Sequence, residues 1–190
     1  MTTTTTQPVH IVLVPGFWLG GWVWDDVAAE LQRKGIVAHA MTLPGLSPDD
    51  RDTESLVLDD HVSAVADLVT GIHGEVIIVG HSGGASVVQG VVDREPDRFR
   101  RVIYVDSGPM LPGIPLGDPT GSGDLAFPGW EALAAEGNSY EGIDDVQRKL
   151  IAKRAVPHPG GVTRSVASEL SSTACSVVRL LTPPDQAAVR

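Results

Sequence analysis

The chain has 190 residues, is 42% hydrophobic and 20% charged, and carries a formal net charge of −10. That length suits one domain with a sizeable core; no apolar run reaches the length needed to cross a bilayer, and the acidic balance argues against nucleic acid as a partner. One cysteine, Cys175, allows no internal disulfide and fits a reducing, cytoplasmic setting.

Residues 1–7 include five threonines and lack the basic residues and apolar core of a signal peptide, so they read as a disordered tail before a single domain over 8–190. Val9 to Val14 is an apolar strand, stopped by Pro15-Gly16. The next loop, Phe17-Trp18-Leu19-Gly20-Gly21-Trp22-Val23-Trp24, holds three of the four tryptophans. Its glycines suit a place where backbone approaches a ligand. Asp25 to Lys34 reads as helix, with Val27 and Leu31 four apart and Gly35 as the stop. Ile36 to Leu43 is a second strand, closed by Pro44-Gly45, and an aspartate-rich loop runs on to Glu54. Leu58, Val62, Val65 and Val69 share one face of the following helix. His61, between acidic neighbours, is expected on its solvated side.

Glu75-Val76-Ile77-Ile78-Val79 is a buried strand, and Gly80-His81-Ser82-Gly83-Gly84 follows it at once. Ala85, Val87, Val88, Val91 and Val92 then mark a helix. By residue frequency, Gly-x-Ser-x-Gly arises by accident in roughly one such chain in seven, so the flanking strand and helix carry the signal. Together they form a nucleophile elbow: a sharp turn lifts the serine hydroxyl outward, and the helix start aims unpaired N–H groups at any anion formed there. Arg101 to Val105 is a further strand, with Asp106-Ser107-Gly108 at its exit.

Strands alternating with helices predict a parallel sheet covered on both faces, with sites outside the carboxyl ends of the strands. Those ends, Pro15 to Trp18, Pro44 to Leu46, Ser82 and Asp106, should share one rim. A Gly- and Pro-rich stretch from Gly108 to Gly129 precedes two short amphipathic helices, around Trp130 to Glu136 and Asp144 to Arg154, the second with Val146, Leu150 and Ile151 on one side. An insertion of this kind, about 109–160, would lie over the rim as a lid. Ala174 to Leu181 reads as one more, weaker strand.

The first loop and Gly80-His81-Ser82-Gly83-Gly84 together resemble the α/β-hydrolase superfamily, nearest the plant methylesterases, hydroxynitrile lyases and their small bacterial esterase relatives. The likeness is good from about Val9 to Met110, fair through Gly161 and poor beyond. It implies an α/β fold of mostly parallel sheet with a small helical lid, C-terminally incomplete. It implies no cofactor, no metal and a small ester-type substrate. By the same resemblance Ser82 is the nucleophile and the backbone N–H groups of Phe17 and Gly83 form the oxyanion hole. Trp18, His81 and Trp130 are substrate-binding candidates, and Phe17 and Phe127 add to an apolar lining. His81 shapes the pocket and is not the base. Pro15 stands where the family has a histidine, whose side chain the hole does not need. Asp106 is the preferred acid and Asp185 the alternative; Asp106 also fits a turn cap with Ser107-Gly108.

Family order is serine, acid, then a histidine after the last strand. His158 is the only histidine after Ser82, and a Pro-His-Pro loop is expected on the surface. His73 precedes the elbow strand, and His10 and His39 lie within strands. From about Arg164 the family pattern gives way to a serine-rich run, as expected of a chain truncated or altered in frame near Thr163. An apolar sheet edge left in that way invites pairing with another chain, a homo-oligomer included. Two readings follow. One is a serine hydrolase of small carboxylic esters or lactones, working through an acyl-enzyme on Ser82. The other is a catalytically silent ligand-binding protein of the same fold. Lyase chemistry is a third and needs the same base.

Overall fold

β-branched runs set the sheet. The computed structural model describes residues 8–50, 53–111, 113–118, 120–165 and 176–180. Expectations for residues 1–7, Cys175 and Asp185 lie outside the described residues. Five strands, β1 (Val9–Val14), β2 (Val37–Ala40), β3 (Glu75–His81), β4 (Phe99–Val105) and β5 (Ser176–Leu180), pair in parallel in the order β2-β1-β3-β4-β5. The second strand is shorter than its apolar run, because Met41 makes a last bond to the Leu13 carbonyl before the chain turns away.

The chain moves from β1 to β2 in one direction and then crosses back over β1 to β3. Right-handed crossovers in opposite directions put their helices on opposite faces. Helix α1 (Asp25–Arg33) packs through Ala28 and Leu31 on Ile11, Leu13 and Val79. Helices α2 (Leu58–Thr70) and α3 (Gly84–Arg94) cover the other face, burying Val62, Val65, Val88 and Val91 against Val12, Val76, Ile78 and Val102. Both faces of the central strands are thus apolar, as parallel sheets require. The order reverses between β1 and β3, so the loops leaving these two strands diverge there and open a crevice at their carboxyl ends.

Two expectations are corrected here. His61 is fully buried, and its Nε2 lies 2.8 Å from the Pro44 carbonyl. It sits three residues after Leu58 and four before Val65, so it falls on the buried stripe despite its acidic neighbours. His158 is also buried, at 2% exposure. Its main chain forms an antiparallel bridge with Leu125, and the short helix α6 (Gly160–Arg164) that follows buries Val162 and Thr163 against the core.

The chain between β4 and α6 carries α4 (Trp130–Ala135) and α5 (Asp145–Arg154). Helix α5 buries no residue, and Val146 is 75% exposed, so the expected apolar face is only partly used. No helix among the described residues is long and apolar enough to cross a membrane.

Candidate active site

At the carboxyl end of β3 the backbone turns through Ser82 at φ 47° and enters α3 two residues later. A left-handed conformation costs a non-glycine residue on the order of 1 kcal/mol or more and persists only where neighbours enforce it. They do so here. The Ser82 N–H donates to the Val105 carbonyl at 3.1 Å, tying the turn to the end of β4. On the other side the β1 loop presses in so closely that a Cβ on Gly84 would stand 2.4 Å from the Pro15 carbonyl oxygen. A Cβ on Gly83 would stand 2.4 Å from the Phe17 ring. Ser82 itself remains exposed.

Three non-glycine residues among those described have positive φ: Trp18 at 66°, Ser82 at 47° and Asp106 at 49°. Ser82 and Asp106 directly follow β3 and β4, Trp18 lies in the loop after β1, and all three line the same cavity, of about 350 Å³. The structure therefore brings together Phe17, Trp18, His81, Ser82, Asp106 and Trp130 in its walls. Gly83 lies one residue beyond Ser82, against Phe17. The N–H groups of Phe17 and Gly83 make no hydrogen bond to another described residue, which leaves both available to a ligand.

The segment between β4 and α6 lines one side of the cavity with aromatic groups. Phe127 stands edge-on to Trp18 at 5.5 Å and to Trp130 at 5.6 Å, and Trp130 donates its indole N–H to the Arg148 carbonyl at 3.1 Å. Trp18 is where insertion and sheet meet. Its indole N–H donates to the Leu125 carbonyl at 2.8 Å, its carbonyl accepts from the Val156 N–H at 2.9 Å, and its own N–H points at His158 Nδ1 at 3.5 Å.

Gln89 on α3 anchors the start of the insertion. Fully buried, it accepts from the Met110 N–H at 2.7 Å and donates to the Met110 carbonyl at 3.2 Å. A lone amide among buried valines was the signal for this clamp in the sequence. Gln89→Leu leaves both Met110 groups short of a partner, a loss of about 1–3 kcal/mol. Amide hydrogen exchange at Met110 should then speed up; an unchanged rate would show that the clamp does not hold this strand exit.

Burial acts on His81, His61 and His158 alike. Burial lowers the His81 pKa, and Asp106 opposes that shift. Burial lowers His61 too, against the Pro44 bond and Asp60. His158 is pushed down to about 3, first by burial and then by His61. Between its ordinary 6.5 and about 3 the unfolded chain binds more protons than the folded one. Stability is therefore intact above the ordinary value and is lost as pH falls toward the folded one. Urea unfolding at pH 4.5 should give a free energy lower than at pH 7 by on the order of 2–3 kcal/mol from this group, and His158→Asn should remove that part of the loss. A stability that does not change with pH would contradict the burial of a neutral ring. Among the described residues no three His, Cys, Asp or Glu side chains gather where they could hold a metal ion.

Comparison with known proteins places this geometry. The model of a family described as "Alpha/beta hydrolase family" matches residues 11–188. The carbendazim hydrolyzing esterase of Nocardioides sp. (strain SG-4G) is 34% identical over 100 residues, covering 52% of this chain and 41% of that protein. Methylesterase 8 of Arabidopsis thaliana is 30% identical over 101 residues, covering 52% and 37%. The chain thus spans about two fifths of the length of these curated relatives. Among solved structures, tomato Methylketone Synthase I complexed with 2-tridecanone superposes with a TM-score of 0.76 over 95% of this chain and 81% of that one; at 18% identity this is a likeness of fold.

Proposed function

The chain belongs to the alpha/beta hydrolase family, and from that premise we propose that it is a serine hydrolase of small carboxylic esters or lactones, with Ser82 as nucleophile. One observation carries the reading: the three strained non-glycine residues that follow β1, β3 and β4 line one cavity, and Ser82 is exposed among them. Strain held at converging strand ends is a cost that packing alone does not require. In this reading Ser82 Oγ gives up its proton as it attacks the ester carbonyl, and the Phe17 and Gly83 N–H groups receive the developing oxyanion. The ester C–O bond breaks, the alcohol leaves with that proton, and water hydrolyses the acyl-enzyme to acid and free Ser82. Asp106 is the acid, His81, Trp18 and Trp130 contact the substrate, and the insertion serves as lid. The mostly apolar, aromatic lining supports a hydrophobic acyl or aromatic group. The net charge of −10 and the single cysteine support a cytoplasmic setting without a nucleic-acid partner.

A second reading is favoured by one feature. A group whose pKa lies at about 3 is a poor proton acceptor at neutral pH, and His158 packs behind Phe17, outside the cavity lining. A protein with oxyanion hole and pocket but no working base binds ligand and turns over little. A p-nitrophenyl ester separates the two. Saturable turnover at more than about a millionfold above buffer is expected of a hydrolase with its base in place. Binding detected by a raised Tm, with turnover no more than about 10⁴-fold above buffer, supports the silent protein.

A further inference from the structure

We infer that His158 is a positioning residue that holds the oxyanion-hole loop in its working shape through Phe17 and Trp18. The inference rests on the serine-hydrolase reading for its chemistry, though its structural half stands separately. Phe17 would give one of the two oxyanion donors, and Trp18, the next residue, is strained at φ 66°. A bulky residue in that region relaxes unless it is held. His158 touches both. Its ring lies 4.3 Å from the Phe17 ring at a tilt of 38°, and its Nδ1 faces the Trp18 N–H at 3.5 Å. The peptide that carries this N–H joins Phe17 to Trp18, so a fixed acceptor here opposes its rotation.

The peg itself is rigid. His158 exchanges two main-chain bonds with Leu125, both 2.8 Å, and two residues on, the Gly160 N–H donates to Asp124 at 2.9 Å. His61 stands edge-on behind it, ring centroids 5.6 Å apart. A spacer of this size needs no nitrogen. Histidine is in fact the costly choice, since its buried Nε2 has no hydrogen-bond partner among the described residues. What the imidazole adds over leucine or phenylalanine is the Nδ1 acceptor. The lowered pKa keeps the ring neutral, and the Trp18 N–H facing Nδ1 favours the tautomer whose proton sits on Nε2.

The test compares His158→Leu, which fills space without an acceptor, with His158→Asn, whose Oδ1 falls about where Nδ1 sits. Two readouts are taken on the full chain: amide hydrogen exchange at Trp18, with Val12 in the core as internal control, and the inactivation kinetics of an alkyl fluorophosphonate at Ser82, split into affinity and maximal rate. In His158→Leu, Trp18 exchange should rise by about tenfold or more, with Val12 unchanged. The maximal rate should fall about 10- to 100-fold with little change in affinity, and His158→Asn should recover most of both. Unchanged exchange at Trp18 overturns the inference. So does unchanged labelling despite faster exchange, or an asparagine variant as impaired as leucine. Should the wild-type chain take no label, it is the serine reading that fails; exchange at Trp18 then decides the matter alone, faster in leucine and restored in asparagine if His158 holds the loop, equal in all three if it does not.

Discussion

Replacing Ser82 by alanine is expected to remove ester turnover down to what pocket and oxyanion donors supply on their own, a loss of about a thousandfold or more. Folding should be nearly untouched, with Tm within about 2 °C, because the side chain is exposed and reaches only into the cavity. Removing the nucleophile takes away the bond that forms, whereas every other group in the walls acts only on its rate. A companion variant separates chemistry from strain. Ser82→Gly should be as inactive as alanine and yet more stable by about 1 kcal/mol, because glycine adopts φ 47° without the Cβ clash. Activity in Ser82→Ala above half that of wild type would remove Ser82 from the mechanism. A glycine variant no more stable than alanine would show that the turn is not strained.

A large loss of stability is expected from Gly84→Ala. A Cβ there would stand 2.4 Å from the Pro15 carbonyl oxygen and 3.1 Å from that of Val14, both main-chain atoms at the end of β1. No rotamer change relieves a backbone contact, so β1 or α3 must shift. We expect a cost of about 3 kcal/mol, seen as a Tm lower by roughly 6–12 °C. The same shift would part the Phe17 and Gly83 donors, so fluorophosphonate labelling should fall with it. A Gly84→Ala protein with unchanged Tm would mean that strand and helix do not press together at the elbow.

The fold was legible because its signals are local and redundant. Apolar β-branched runs marked β1, β3 and β4, and the stripe Leu58, Val62, Val65, Val69 marked α2, all four of which are buried. The elbow was legible because Gly80, Ser82 and Gly84 sit at fixed offsets between a strand and a helix. The strain at Trp18 and Asp106 was not, since neither residue type announces a positive φ. At Trp18 the facing group, His158, lies 140 residues away in the chain. Separation in sequence also hid the burial of His158: a Pro-His-Pro segment reads as surface loop until Leu125 is known to pair with it. His61 misled for a different reason. Its acidic neighbours suggested solvent, but its spacing from Leu58 and Val65 already put it on the buried face.

The most direct test of the central claim is a crystal structure of the chain after reaction with an alkyl phosphonate. Phosphorus should be bonded to Ser82 Oγ, with the phosphoryl oxygen within about 3 Å of both the Phe17 and Gly83 nitrogens and the alkyl group against Trp18 and Trp130. An adduct on any other residue, or one on Ser82 whose oxygen points away from those two amides, contradicts it.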